Sequence, residues 1–256
     1  MSEGIEFRVE DGIATILLNR PSRMNAFTFG MIDAWAEFLI RCRTDDAVSV
    51  IVVTGAGEAF CSGGDIVEMG DRLEQEPIRR KNELFEHVQR IPLALADLDK
   101  PVIAALNGVA TGAGLDLALM CDIRYASRSA RFAETYGRVG LVPGAGGAYF
   151  LPRLVGASKA LEMFLTGDFV SAEEAERLGM VNAVFDDEGF LDSVYAVARR
   201  MARGTPLASR LIKRAIYQSL GTDLRTSLDL VSSHYGIVTA TDDHKAAVRR
   251  FIGKQA

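Results

Sequence analysis

Two glycine-rich turns hold the residues best placed for chemistry. They are Cys61-Ser62-Gly63-Gly64-Asp65-Ile66 and Asn107-Gly108-Val109-Ala110-Thr111-Gly112-Ala113-Gly114-Leu115-Asp116. Each follows an apolar, strand-like run and precedes a stretch that can be helical. Turns of this kind place backbone N–H groups at a helix start. Two of them brought together aim two donors at one point, which is what an oxyanion requires. Taken singly, each is also an ordinary strand-to-helix turn in which glycine relieves steric strain.

Other chemistries fail on spacing. Gly55-Ala56-Gly57, Gly112-Ala113-Gly114 and Gly144-Ala145-Gly146 lack the third glycine of a dinucleotide fingerprint, having Phe60, Leu117 and Tyr149 at that place. No P-loop lysine is present. Ser62 has Phe60 two residues before it, so it is no nucleophile elbow. His87, His234 and His244 are scattered, and none has another metal-type ligand three or four residues after it. A metal centre or a serine–histidine engine is not expected.

The elements that must position the turns read as an α/β chain. Residues 5–9 and 13–19 form a hairpin around Asp11-Gly12. Residues 28–43 repeat apolar positions at helical spacing, at Met31, Ile32, Trp35, Phe38, Leu39 and Cys42. Val48–Thr54 is a continuous β-branched run and Pro101–Leu106 another buried strand, the mark of strands covered on both faces. Residues 66–98 are charged and helix-prone, with Pro77 and Pro92 as breaks, and read as a flap beside a site. A helix spans 114–120, short strands lie at 123–126 and 130–132, and a helix follows the glycine turn 143–147. Ser171 and Glu174 mark a capping box, Gly179 closes that helix, and 181–185 is a strand. After about residue 187 only helices are expected. Pro206 starts one, with a stripe at Leu207, Leu211, Ile212, Ala215, Ile216 and Leu220. A second stripe runs from Leu224 to Val238, and 242–253 is a last amphipathic helix. The division is therefore a core over 1–186 and a helical lobe over 187–256 that packs on neighbouring subunits.

The 256 residues are 48% hydrophobic and 25% charged, an ordinary globular composition for one large domain. A net charge of −5 with no basic block argues against a nucleic-acid partner. Arg79-Arg80-Lys81 and Arg249-Arg250 are basic clusters that suit small-ligand phosphates or exposed helix faces equally. Cys42, Cys61 and Cys121 fit no zinc pattern or disulfide framework, which suits a reducing compartment. The acidic start Met1–Glu6 is no signal peptide, and no stretch of about 18 apolar residues could span a membrane. A cytoplasmic protein is expected.

With these residues in view, the chain resembles the crotonase, or enoyl-CoA hydratase/isomerase, superfamily over almost its whole length. The resemblance is carried by residues 59–66, 105–114 and Met120-Cys121-Asp122-Ile123-Arg124-Tyr125-Ala126. Gly140-Leu141-Val142-Pro143-Gly144-Ala145-Gly146-Gly147 and Leu165-Thr166-Gly167 add to it. The resemblance implies a ββα spiral with a C-terminal helical lobe, a homotrimer or hexamer, and an acyl-CoA thioester as substrate. Coenzyme A enters as part of that substrate; no separate cofactor or metal is implied. The thioester oxygen would sit between the amides of Gly64 and Ala113. Substrate contacts would fall on Arg23, Met24, Ala26, Cys61, Asp65, Ile66, Gly112 and Tyr136. A subunit-crossing contact from Lys254 is not expected, since the tail is short.

The pattern departs from family hydratases at their two glutamates. The first position is Asp116, shorter by one methylene. The second is Tyr136, a phenol that is a poor base at neutral pH but can donate a hydrogen bond. The acid that some double-bond-shifting relatives carry after the later proline is Gly144 here. Glu134 reads as a solvated surface acid. One firm carboxylate remains, which suits moving a proton between two carbons better than adding water. The expected reaction is hydratase or isomerase chemistry with Asp116 as proton-transfer residue and Tyr136 assisting. Thioester hydrolysis, decarboxylation or C–C cleavage on the same scaffold is one alternative. A non-catalytic acyl-CoA-binding protein is another.

Overall fold

The computed structural model describes residues 3–253; Lys254 lies outside the described residues. The hairpin forms β1 (Ile5–Glu10) and β2 (Ile13–Leu18), antiparallel, with Glu10 opposite Ile13 across the turn. Helix α1 (Phe29–Thr44) is capped by Thr28, whose hydroxyl accepts from the Met31 amide. The apolar face anticipated for α1 is the buried one: Met31, Ile32, Trp35, Leu39 and Cys42 are all enclosed.

Beyond α1 the chain repeats one pattern. A strand in a large sheet is followed by a short strand in a second sheet, then by helix. The first unit is β3 (Val50–Gly55), β4 (Ala59–Cys61), α2 (Ile66–Gly70), α3 (Pro77–Glu83) and α4 (Arg90–Asp97). The second is β5 (Val102–Leu106), β6 (Val109–Thr111) and α5 (Ala113–Leu119). The third is β7 (Ile123–Ser127), β8 (Arg131–Ala133), α6 (Gly147–Val155) and α7 (Ala157–Thr166). The large sheet has the order β1-β2-β3-β5-β7-β10 and the small one β4-β6-β8-β9, with β9 at Val170–Ser171 and β10 at Ala183–Phe185. The successive units add parallel strands to both sheets. This is the expected ββα spiral.

Strand β3 shows why its sequence is apolar without alternation. Ile51 and Val53 face the core built on Trp35 and Leu39, while Val50 and Val52 face Phe190, Val194 and Ala198. The latter belong to α9 (Phe190–Ala202), which follows α8 (Ala172–Arg177) and covers the other side of the large sheet. The capping box is half realised: the Ser171 hydroxyl accepts from the Glu174 amide at 3.2 Å. Helices α10 (Pro206–Ser219), α11 (Leu224–Thr239) and α12 (Asp242–Ile252) complete the C-terminal bundle. Among the described residues, no helix is long and apolar enough to cross a membrane.

Two local expectations change. Pro92 does not break a helix. It lies in the first turn of α4, where its missing N–H is not needed. The irregularity falls earlier, as a π-turn at Leu84–Val88 that runs on from α3 and is separated from α4 by Gln89. Helix α7 was not anticipated as a separate element; Gly156, at φ +80°, divides it from α6.

Candidate active site

Parallel strands in the small sheet bring the chemistry together. Thr111 of β6 pairs with Ala133 of β8. Just past these ends, the Gly112 amide donates to the Ala133 carbonyl at 2.9 Å. One chain then enters α5 and presents Asp116 in its first turn. The other runs into a 3-10 turn at Tyr136–Val139. Groups distant in sequence thus converge at the carboxyl ends of adjacent parallel strands, the usual position of a crevice in such sheets.

The Tyr136 hydroxyl donates to Asp116 Oδ2 at 2.5 Å. Asp116 is fully buried and Tyr136 almost so. Burial pushes the Asp116 carboxyl up to about 6; the Tyr136 hydroxyl, the Gly147 amide, Glu134 and the Ala145 amide oppose that rise. Burial, and then the Asp116 charge, holds the Tyr136 phenol well above its ordinary range. Gly147 is required here, because a Cβ on it would overlap the Asp116 carboxylate.

The expectation that Glu134 is a solvated acid is not met. Glu134 is fully enclosed, one residue past β8, and interacts with Asp116. Burial and then the Asp116 charge push its carboxyl up to about 10. The sequence signal was the strand itself: Glu134 follows Phe132 and Ala133, both buried, so the chain enters it from the core rather than from solvent.

Two cavities meet at this point. One, of about 380 Å³, is walled by Phe27, Phe29, Leu84, Val88 and Val142, with Arg72, Arg80 and Lys81 also lining it. The other, of about 430 Å³, is lined by Arg23, Met24, Ala26, Ile66 and Gly112. Gly64, Asp65, Ala113 and Tyr136 line both. The two glycine turns are therefore neighbours: a Cβ on Gly63 would lie 3.3 Å from the Thr111 carbonyl oxygen and 3.7 Å from the Ala113 amide nitrogen. The close approach depends on Gly114, where any Cβ would overlap the Cys61 carbonyl.

Asp116 and Cys61 line neither cavity. Tyr136 is the member of its pair that reaches the cavity surface. Cys61 is buried; its thiol donates to the Asn25 carbonyl at 3.2 Å, and burial pushes it up to about 12. Asp65 is present at the cavities, but its carboxylate is engaged. It accepts from the Val67 amide at 2.9 Å, capping α2, and pairs with Arg20 at 2.9 Å. Its partial burial favours the neutral acid, but Arg20 and the Val67 and Glu68 amides outweigh this and hold the group below its ordinary value.

Sequence reasoning missed three supports. Asn25, fully buried at φ +55°, accepts from the Arg20 amide at 2.8 Å and donates to the Ala56 and Ala59 carbonyls at 2.9 and 2.7 Å. It ties the loop carrying Arg23 and Met24 to the strand leading into the first glycine turn. Phe27 and Phe29 shape the apolar cavity, and the Arg72 guanidinium sits 3.8 Å from the Phe29 ring centroid.

The Enoyl-CoA hydratase/isomerase family model matches residues 8–256. The 1,2-epoxyphenylacetyl-CoA isomerase of Escherichia coli K12 is 39% identical, over 100% of this chain and 98% of its own. A crotonyl-CoA hydratase of Syntrophomonas wolfei is 34% identical, over 99% and 96%. The crystal structure of a putative enoyl-CoA hydratase/isomerase from Mycobacterium abscessus superposes with a TM-score of 0.93, at 34% identity, over 98% and 96% of the two chains. The chain belongs to the enoyl-CoA hydratase/isomerase, or crotonase, family.

Proposed function

We propose that the protein is an acyl-CoA enzyme that forms a thioester enolate, with Asp116 as the proton acceptor and Tyr136 between it and the substrate. The observation that carries this reading is the junction of the two cavities. Gly64 and Ala113 come from separate turns and Tyr136 from a third segment, and all three line both cavities. A thioester carbonyl at the junction would leave its acyl group in the apolar cavity and its nucleotide in the cavity edged by Arg23. Among the described residues, no carbonyl accepts from the Gly64 or Ala113 amide, so both are free for an oxyanion. Two such donors stabilise a developing enolate by several kcal/mol.

The proton moves in step. A substrate C–H proton passes to the Tyr136 oxygen as the phenol proton passes to Asp116 Oδ2, and the electron pair left on carbon delocalises onto the thioester oxygen. No free phenolate forms, which matters because burial disfavours that ion. Reversal at another carbon shifts the double bond. One acceptor suffices for this, so isomerisation fits better than hydration, and the Escherichia coli relative is named as an isomerase.

The exposed apolar residues of the C-terminal bundle, Ile212, Ile216, Leu220, Leu224, Leu228 and Tyr235, fit the further proposal that residues 187–256 join copies into a trimer or hexamer. Sedimentation of the purified protein checks it; a monomer at micromolar concentration refutes it.

The function is tested by incubating the protein and Asp116→Asn with 2-enoyl-CoA and 3-enoyl-CoA. Interconversion abolished by the substitution supports the reading. Tight binding without turnover by either protein replaces it with a binding role, and release of free CoA replaces it with hydrolysis.

A further inference from the structure

Glu134 is a buried titratable group that the scheme above leaves without a task. Its carboxyl is enclosed, yet neither Oε1 nor Oε2 makes a hydrogen bond, and of the two Asp116 oxygens only Oδ2 does. With both carboxyls ionised, three buried oxygens would be left without a hydrogen bond and two negative charges would face each other in a buried site. Each of these is costly. A single proton between the two carboxyls relieves both problems.

We infer that Glu134 is the positioning acid of this site: it stays neutral, donates its proton to Asp116 Oδ1, and so keeps Asp116 the single carboxylate, with Oδ2 left to the Tyr136 phenol. The inference rests on the enolate reading only for the task of that phenol. Glu134 touches neither cavity, so it acts through Asp116 and not on substrate.

The placement of the proton follows from surroundings. Asp116 receives the Tyr136 hydroxyl and is favoured as an ion by the Gly147 and Ala145 amides. Glu134 has no such help. The ionisable groups that interact with it are Asp116 from α5 and Tyr136 from the turn that follows. The nearby Arg138 donates instead to the Gly167 carbonyl at the end of α7, at 2.7 Å. The charge therefore settles on Asp116 and the proton on Glu134. In turnover the carboxyl pair holds one proton at rest and two once Asp116 has taken the phenol proton. The pair then carries no charge while the enolate carries one.

Three measurements test this. Infrared spectra of the whole protein at pH 8 should contain the C=O stretch of a neutral, buried carboxylic acid, absent from Glu134→Gln. The pH profile of turnover should lose its alkaline limb in Glu134→Gln, since an amide has no proton to lose. Its acid limb should move upward, because an amide is a weaker donor to Asp116. At pH 6 the variant should be slower by about three- to ten-fold. Glu134→Ala should move the acid limb further, and the glutamine should recover part of that shift. An unchanged profile in Glu134→Gln, or no neutral-acid band in the wild type, overturns the inference. Wild type that neither binds acyl-CoA nor exchanges its α-protons with D2O overturns the enolate reading instead, while the infrared result still decides the state of Glu134.

Discussion

The Tyr136 hydroxyl and the Asp116 carboxylate form one unit, joined at 2.5 Å, in which the carboxylate is fully buried and the phenol reaches the cavity. Removing either half should act on chemistry more than on binding. Asp116→Asn is expected to lower kcat by about 10²–10⁴-fold, with little change in the Kd of a saturated acyl-CoA. Tyr136→Phe should lower kcat similarly and also cost about 1–3 kcal/mol of stability, because Asp116 Oδ2 is left buried without its donor. Steady-state kinetics with calorimetric binding separates the effects. Equal losses in kcat and affinity would assign the pair a structural role.

The acid side of the pH profile should report Asp116. Burial pushes its carboxyl up to about 6 from the ordinary 3.8, and only the ionised form can accept a proton. Turnover should rise through pH 6 and fall tenfold per unit below it. Stability runs the other way. A raised folded pKa means that the fold prefers the neutral acid, so this contribution is complete below 3.8 and lost as pH rises through about 6. Asp116→Asn should therefore be more stable than wild type at pH 8, by about 1–3 kcal/mol, and no more stable at pH 4. Denaturant melts at the two pH values check this. A variant less stable at pH 8 would show that the ionised carboxylate holds the fold together.

The sequence revealed the frame better than the interior of the site. Strand β3 was legible because it is covered on both faces, so Val50, Ile51, Val52 and Val53 are apolar without alternation. The glycine turns were legible because Gly114 has no room for a side chain against Cys61. Glu134 was not. Its charge suggests solvent, and only the parallel register of β6 and β8 carries it inward next to Asp116. Cys61 shows the opposite limit. It stands in a motif whose neighbours line the cavity, yet its thiol turns away from the cavity to the Asn25 carbonyl.

Gly114 supports a packing test. The first turn of α5 lies against the Cys61 carbonyl, so Gly114→Ala must push the two glycine turns apart. The expected cost is about 1–3 kcal/mol. The larger effect should fall on kcat, since the Gly64 and Ala113 amides would lose their common aim. A variant that folds with wild-type kcat would remove the oxyanion site from these two turns.

Asn25 offers a test of binding without chemistry. The left-handed backbone at φ +55° suits asparagine and glycine better than alanine. Its side chain accepts from the Arg20 amide and donates to the Ala56 and Ala59 carbonyls. Asn25→Ala loses both the conformation and the hydrogen bonds, and should destabilise by about 2–4 kcal/mol. Asn25→Gly keeps the conformation alone and should cost less. Both free the loop bearing Arg23 and Met24, which edge the second cavity, while leaving the Asp116–Tyr136 pair intact. KM for the CoA thioester should therefore rise about ten-fold or more with kcat changed less than about three-fold. With a substrate truncated to the pantetheine thioester, the variants should match wild type, because the missing nucleotide is what the loop would hold. Variants that lose kcat on both substrates would place Asn25 with the chemistry rather than with nucleotide binding.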